Sequence, residues 1–253
     1  MAKFVPYLSE QRIENDSVAL LAEFARARGV VITPPIPIED IVEKHLKLVV
    51  ELDDTHRLFG VPRSGPDPDI LGAMFFDDGR IVIDQSLDPE ENPSKEGRYR
   101  FTLAHEGGGH WRLHRDLFAK DSAQVTMFAV PQSVICRTSQ KKEPVEWQAD
   151  FYASCLLMPR ELVIAAWDET YPDRRRHFMD RSRRDAIAAI ADTEERDFET
   201  KVEEWQNDEA MEDFARPFAR RFLVSPQAMR IRLEKLGLLL RADPRQRGLT
   251  GGP

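Results

Sequence analysis

The residues best equipped for chemistry lie in one short stretch, Phe101-Thr-Leu-Ala-His-Glu-Gly-Gly-Gly-His-Trp-Arg-Leu-His114, which carries three histidines and a glutamate. Zinc hydrolases commonly place His-Glu-x-x-His on a helix, because residues four apart face the same metal ion. Here His105 and His110 are five residues apart. In a regular α-helix their side chains would diverge by roughly 140° and could not share a tetrahedral ion.

Three consecutive glycines, Gly107 to Gly109, fill the interval between these two histidines. Glycine is a poor helix former with a permissive backbone, so the run can host a one-residue π-bulge, which brings positions i and i+5 onto one face. The sequence therefore predicts a stretched zinc motif in which His105 and His110 bind the metal. Glu106 would be the general base that takes a proton from metal-bound water, whose pKa the metal lowers.

Two other interpretations of the stretch stay open. His110 and His114 are four apart and could chelate a metal from a plain helix, although no glutamate follows His110 to act as a hydrolytic base. The stretch could also be an ordinary, partly exposed helix without a metal. A bulge that converges His105 and His110 favours the stretched motif, whereas a regular helix would favour a protein without catalysis.

A second helix is predicted from Pro144 to Pro159, with a proline in its first turn and another at its end. On this helix Glu146 and Asp150 lie four apart on one face. A carboxylate on a second helix is the expected third ligand beside two histidines, so Glu146 is the candidate. The alternative is structural, because the helix dipole favours a glutamate near an N-terminus whatever its function. Asp150 and His114 are candidates for orienting the ligands from outside the ligand set.

Elements that precede the motif must position it. Ser9 to Arg28 is predicted to form an amphipathic helix that stops at Gly29. Leu46 to Leu52 is predicted to be a strand, and Ile70 to Phe76 with Arg80 to Asp84 a hairpin. We therefore expect an α+β fold with a small antiparallel-type sheet packed on a helical core, followed by a helical C-terminal part.

Composition limits the classes of function. The chain of 253 residues has a net charge of −8, which argues against nonspecific coating of nucleic acid by its whole surface. It shows no apolar run of about 20 residues and no signal-peptide core, and it has two cysteines. We therefore expect a cytoplasmic protein with reduced thiols and no membrane partner.

Cys155 is interpreted as a core residue, and Cys136 could be a thiol near the site. Arg98 and Arg100 are interpreted as surface charges.

Beyond the second helix, a charged helical insertion is expected over 161–213, a helix-turn-helix-like part over 214–247 and a disordered tail over 248–253. From residue 215 onward, nine Arg and Lys residues face two acids. A helix from about Pro226 to Leu236 could therefore lie in a DNA major groove. Its apolar residues equally suit a packing module or the docking of a repressor or peptide.

Two of these patterns together resemble a known family. Phe101-Thr-Leu-Ala-His-Glu with Gly109-His110 and His114, followed by Glu146-Trp-Gln-Ala-Asp-Phe-Tyr-Ala-Ser-Cys-Leu-Leu-Met-Pro159, look like the two signatures of the ImmA/IrrE metallopeptidases. The resemblance covers residues 38–160, and the segment 214–237 resembles the C-terminal helical part of that family. Family members carry His-Glu-x-Gly-His, which is one residue shorter than the motif here. This difference bears on metal affinity and activity rather than on the fold.

The resemblance implies a zincin-like metallopeptidase domain over 1–160 with a gluzincin-like site, in which His105, His110 and Glu146 bind zinc and Glu106 is the base. Known members cleave helix-turn-helix repressors and so release stress-response or mobile-element genes. We therefore expect a regulatory zinc endopeptidase that cleaves a helix-turn-helix repressor or antitoxin. One alternative is a catalytically silent regulator that binds a partner or DNA through its basic C-terminal helices. Another is a metal sensor that responds to zinc without hydrolysis.

Overall fold

The structure is a computed structural model that describes residues 5–62, 70–122, 133–137, 143–173, 176–178 and 199–241. The chain divides into two compact units, Met1–Pro159 and Arg160–Pro253. The first unit contains the sheet and the histidine motif, and the second contains the C-terminal helices. The boundary expected after residue 160 therefore lies one residue from the observed division.

Helix α1 (Glu10–Arg28) has the boundaries that its sequence predicts. Ser9 caps its first turn, because the side-chain oxygen of Ser9 accepts a hydrogen bond from the backbone N–H of Arg12. The helix ends at Gly29, whose φ of +65° is the left-handed conformation that glycine tolerates. Its buried face is largely apolar and consists of Ile13, Leu20, Leu21 and Phe24, with Glu14 and Ser17.

The first unit contains a four-stranded sheet in the order β1-β3-β2-β4, with β1 Val49–Asp53, β2 Ile70–Phe75, β3 Arg80–Asp84 and β4 Ser133–Arg137. Strands β2 and β3 form the predicted antiparallel hairpin. Strand β1 runs parallel to β3, and β4 runs antiparallel to β2. The fold is mixed α and β as expected, but the prediction of an antiparallel-type sheet is wrong for β1. The connection after β1, which includes helix α2 (Thr55–Phe59), leads to β2 and leaves the place beside β1 free. The chain then turns back from β2 into β3, which fills that place and runs in the same direction as β1.

Both strands of the hairpin are interior, because β3 lies between β1 and β2, and β2 lies between β3 and β4. Nearly all of their residues are buried, which is typical of strands covered on both faces. Strand β4 is not predicted from the sequence, because the stretch 116–142 shows no clear period. Of the described strands in this sheet, only β1 and β4 lie at an edge.

The histidine motif lies on a continuous helical run composed of α3 (Glu96–Leu103), a π-helical turn (Ala104–His110) and α4 (Trp111–Ser122). Helix α5 (Pro144–Leu157) packs against both the π-helical turn and α1. Its apolar face is buried as predicted, and Cys155 on it is 1% exposed, which confirms a core position. The backbone of Cys136 lies in β4, and its side chain is outside the described part of the chain.

Arg100 on α3 is buried, with 5% of its surface exposed, so the prediction of a surface charge is wrong for this residue. Its guanidinium donates hydrogen bonds to the carboxylate of Glu39 and to the carbonyl oxygen of Ile36. These partners lie more than sixty positions earlier in the chain, and no local pattern reveals such a contact. The contacts tie α3 to the segment that precedes the sheet.

The second unit contains α6 (Arg160–Thr170), α7 (Glu199–Phe222), α8 (Pro226–Lys235) and two short strands that pair in parallel, β5 (His177–Phe178) and β6 (Leu239–Leu240). The predicted turn between the last two helices is confirmed, and Ser225 caps α8 by accepting a hydrogen bond from the N–H of Ala228. The boundary expected between residues 213 and 214 falls inside α7. The tail expected to be disordered, 248–253, lies outside the described residues.

Candidate metal centre

The π-helical turn forms where the glycine run predicts it, over Ala104–His110. A π-helical turn accommodates one residue more than an α-helical turn, so residues five apart come onto one face. The imidazole rings of His105 and His110 accordingly lie edge to face, with their centroids 4.6 Å apart and their planes at 79°. The prediction that the glycines bring these two histidines together is confirmed.

The same glycines allow α5 to approach the turn closely. A Cβ on Gly108 would lie 2.9 Å from Cδ2 of Leu156, and a Cβ on Gly109 would lie 2.6 Å from Cα of Ala149. Protein interiors do not tolerate such overlaps, and the atoms that a Cβ on Gly109 would meet belong to the α5 backbone, so a larger residue there would push α5 away. Because α5 carries Glu146, the glycines also set the distance between that carboxylate and the histidines.

The carboxylate of Glu146 lies between the two imidazole rings. Its Oε2 is 3.2 Å from Nε2 of His105, and its Oε1 is 3.5 Å from Nε2 of His110. The side chains of the two histidines are 1% and 0% exposed, and that of Glu146 is 18% exposed. One ligand atom from each of the three residues lies within 4.8 Å of the others, so the group could hold a metal ion.

The spacing of these atoms can be compared with that of a tetrahedral zinc site. Nitrogen and oxygen ligands lie about 2.0–2.2 Å from zinc, which places two ligands of one ion roughly 3.3–3.6 Å from each other. The contacts of Glu146, 3.2 Å from Oε2 to Nε2 of His105 and 3.5 Å from Oε1 to Nε2 of His110, are close to this spacing. Two imidazole nitrogens with one carboxylate also form a donor set that zinc commonly takes. The three residues could therefore hold a metal ion, and their donor atoms are of the types that zinc takes.

Asp150 lies one helical turn after Glu146, and its Oδ1 is 2.9 Å from Nδ1 of His105. When Nδ1–H of His105 donates to this carboxylate, Nε2 keeps the lone pair that a metal needs. The position of Asp150 is thus the one predicted for a residue that orients a ligating histidine.

His114 lies next to His110, and their Nδ1 atoms are 3.1 Å apart. The two rings therefore meet through Nδ1, whereas Nε2 of His110 faces Glu146. This geometry does not support the alternative in which His110 and His114 chelate one ion as a pair. His105, His110 and His114 are at most 1% exposed, so the interpretation as a partly exposed helix is not supported either.

Glu106 is fully buried, and among the described residues neither of its carboxylate oxygens has a hydrogen-bond partner. The pKa of Glu106 is raised to about 8, chiefly because burial disfavours the charged carboxylate; His105 opposes the rise, and the charges of Glu146 and Asp150 contribute to it. A bound cation would favour the ionised form and lower this pKa again. A buried carboxyl beside three candidate ligands is suited to proton transfer.

The pKa of His110 is well below its ordinary value, because burial disfavours the charged ring and His105 and His114 lie close by. Burial also lowers the pKa of His114, although its hydrogen bond to Gln148 opposes the shift. Neutral imidazole is the form that binds metals, so this environment suits a ligand.

Two residues near the site are not singled out by the sequence analysis. Gln148 on α5 is 1% exposed, and its Oε1 is 2.9 Å from Nε2 of His114. Gly72 of β2 faces Glu106, because a Cβ there would lie 3.2 Å from Oε1 of Glu106. A polar residue on an apolar helix face and a glycine inside a strand are the two sequence signals that indicate such positions.

Helix α8 in the second unit does not expose a basic surface. Its exposed residues are Gln227, Ile231 and Lys235, so one cation is present on that face. Arg232 is 1% exposed, and Arg230 is buried against acidic side chains of its own unit, Asp208, Glu212 and Glu234. Of the cations on this helix, Lys235 is therefore the exposed one, and Arg230 and Arg232 are buried.

Fold and site together define a protein of mixed α and β structure with a buried two-histidine, one-carboxylate group that could hold a metal ion. Compared with known protein families and with curated proteins, the chain matches none. Among the described residues, no helix combines the length and the apolar character needed to cross a membrane.

Proposed function

We propose that the protein is a zinc-dependent endopeptidase of the ImmA/IrrE type with a zincin-like core. The observation that carries the proposal is the π-helical turn, which places His105 and His110 on one face despite their spacing. His105, His110 and Glu146 would hold the zinc ion, and Asp150 and His114 would orient the two imidazoles. When bound, zinc supplies a Lewis acid that lowers the pKa of a coordinated water and polarises the substrate carbonyl.

Glu106 is the residue placed for acid–base work. In its ionised form it accepts a proton from the attacking water, whose oxygen adds to the carbonyl carbon of the scissile peptide. The same carboxyl then delivers the proton to the amide nitrogen as the C–N bond breaks, so that a carboxylic acid and an amine are released. Neither carboxylate oxygen of Glu106 has a hydrogen-bond partner among the described residues, so neither is already engaged in a hydrogen bond within that part of the chain.

The proposed substrate is a helix-turn-helix repressor or antitoxin. This assignment rests on the resemblance of Phe101–His114 and Glu146–Pro159 to the family signatures. The second unit, with its capped helix-turn-helix-like pair α7 and α8, is the candidate for contacting the substrate.

Glu106→Gln tests the chemistry separately from the metal. We expect this variant to keep zinc and to lose about 10²–10⁴-fold in cleavage rate, because the amide cannot accept the proton. Zinc-loaded protein would be incubated with a proteome-derived peptide library, and new peptide termini would be counted by mass spectrometry. Asp116→Asn, an exposed carboxylate-to-amide change on α4, is the matched control and should cleave like the wild type.

No new termini from zinc-loaded wild type would contradict the endopeptidase proposal. Equal cleavage by wild type and Glu106→Gln would contradict the role of the glutamate. Any cleavage by the wild type should stop when a chelator removes the metal, because the proposed chemistry needs the metal.

The second candidate is a regulator or sensor that binds zinc without hydrolysis. The burial of His105, Glu106 and His110 favours this candidate, because a polypeptide substrate must reach groups that are at most 1% exposed. Stoichiometric zinc without any cleavage would select it over the peptidase.

A further inference from the structure

A chain of hydrogen bonds leads from the proposed zinc ligand His110 to the N-terminal segment. It runs through His114 and Gln148 and ends at the backbone carbonyl of Pro6. His110, His114 and Gln148 are each at most 1% exposed, so water does not compete for these bonds. Together these bonds determine which ring nitrogen of His110 and which ring nitrogen of His114 carries the hydrogen.

The direction of the chain is set at Pro6. A backbone carbonyl oxygen only accepts hydrogen bonds, so the group of Gln148 that lies 2.8 Å from it must be the amide nitrogen. The side-chain oxygen of Gln148 then faces Nε2 of His114 at 2.9 Å. Because that oxygen only accepts, Nε2 of His114 must carry the hydrogen.

The hydrogen on His110 follows from that on His114. Neutral His114 with its hydrogen on Nε2 has a lone pair on Nδ1. Nδ1 of His110 lies 3.1 Å away, and two lone pairs cannot form a hydrogen bond with each other, so Nδ1 of His110 must carry the hydrogen and donate it to His114. Its Nε2 is then left with a lone pair, and this is the atom that faces Glu146.

We infer that Gln148 and His114 are positioning residues that hold His110 in the tautomer able to bind metal through Nε2, and that the carbonyl of Pro6 fixes their orientation. This inference rests on the proposed zinc site. The two histidine ligands are then oriented by different means: His105 by the carboxylate of Asp150, and His110 by a neutral relay that ends on the backbone.

The relay also couples the metal site to the N-terminal segment. Pro6 and Gln148 are 142 positions apart in the sequence, and their hydrogen bond joins the segment before α1 to α5. Helix α1 itself packs on α5, which holds this segment in place. A chain that begins at Tyr7 would lack the carbonyl that orients Gln148.

Gln148→Leu tests the relay, because leucine fills a similar volume but neither donates nor accepts a hydrogen bond. We expect the zinc Kd, measured by competition with a chromophoric chelator, to rise about 10–100-fold, the usual effect of removing a partner that orients a ligating histidine. The matched control is Tyr152→Phe on the same helix, which removes a hydroxyl whose partly buried hydrogen bond to Asp16 lies outside the relay. Its Kd should stay within about twofold of the wild type.

A second measurement does not depend on zinc. Nitrogen-15 NMR of the histidine rings in metal-free wild type should show the hydrogen of His114 on Nε2 and that of His110 on Nδ1. In Gln148→Leu we expect both rings to become mixtures of the two tautomers.

The relay is overturned if His110 in the wild type carries its hydrogen on Nε2, or if Gln148→Leu binds zinc as tightly as Tyr152→Phe. A different result would separate the relay from the proposed function. If the expected tautomers are present but wild type binds no zinc, the hydrogen-bond relay stands and the zinc endopeptidase proposal fails.

Discussion

Gly109→Ala is expected to lower the free energy of unfolding of the metal-free protein by about 2–3 kcal/mol, the upper range for overpacking a core. The added methyl group would lie 2.6 Å from Cα and 2.8 Å from Cβ of Ala149. These atoms belong to the α5 backbone and its first side-chain carbon, so they cannot move aside by a side-chain rotation. The helix that carries Glu146 would have to shift, and urea denaturation would measure the loss.

Gly108→Ala is the matched control for this substitution, since it lies in the same π-helical turn and makes the same change in backbone freedom. Its methyl group would meet side-chain atoms, with Cδ2 of Leu156 at 2.9 Å. Because a leucine side chain can adopt another rotamer, we expect a smaller loss than at Gly109. Equal effects, or no effect at Gly109, would contradict the close approach of α5 to the turn.

Glu146→Ala is expected to raise the zinc Kd by more than about 100-fold, beyond what the loss of an orienting partner usually costs. The substitution removes the only carboxylate in the candidate ligand group, whose oxygens lie 3.2 and 3.5 Å from the two Nε2 atoms. The remaining histidines provide two of the three protein ligands that open zinc sites commonly use. Isothermal titration of metal-free protein with zinc would measure the change.

Glu143→Ala is the control for charge in this second experiment. Glu143 is exposed and lies just before the first turn of α5, so its removal changes the net charge by the same amount. We expect its zinc affinity to match that of the wild type. A Glu146→Ala that still binds tightly would show that Glu146 is not a ligand, and an equal loss of affinity in Glu143→Ala would show that the lost charge, not a lost ligand, causes the effect.

Features with local causes could be predicted from the sequence. Helix α1 is capped by Ser9 before its first turn and by Gly29 after its last, and both are residue types that commonly cap helices. The hairpin β2–β3 follows from two apolar runs with a turn between them. The π-helical turn follows from three glycines in a histidine motif that is one residue too long.

Features that depend on distant partners could not be predicted. The parallel pairing of β1 with β3 depends on the path of the chain after β1, which the strand pattern does not encode. Arg100 is buried because Glu39 and the carbonyl of Ile36 meet it there. Gln148 contacts His114 of the site, and its orientation there is set by Pro6, which lies 142 positions earlier in the chain and accepts its hydrogen bond.

The glycine run illustrates both cases. Its conformational freedom could be predicted, because it is a property of the residue type. The second role of Gly109, close contact with Ala149, requires knowledge of which helix packs on the turn. The π-helical turn and the contact with α5 therefore both require glycine at position 109. Only the requirement of the turn can be predicted from the sequence.

We propose that the π-helical turn brings His105 and His110 onto one zinc ion, which Glu146 on α5 also binds. The most direct test is X-ray diffraction on both sides of the zinc absorption edge, from crystals of wild-type protein grown with one equivalent of zinc. We expect one anomalous peak about 2.0–2.2 Å from Nε2 of His105, Nε2 of His110 and a carboxylate oxygen of Glu146. A peak elsewhere, or no peak between these three residues, would contradict the account.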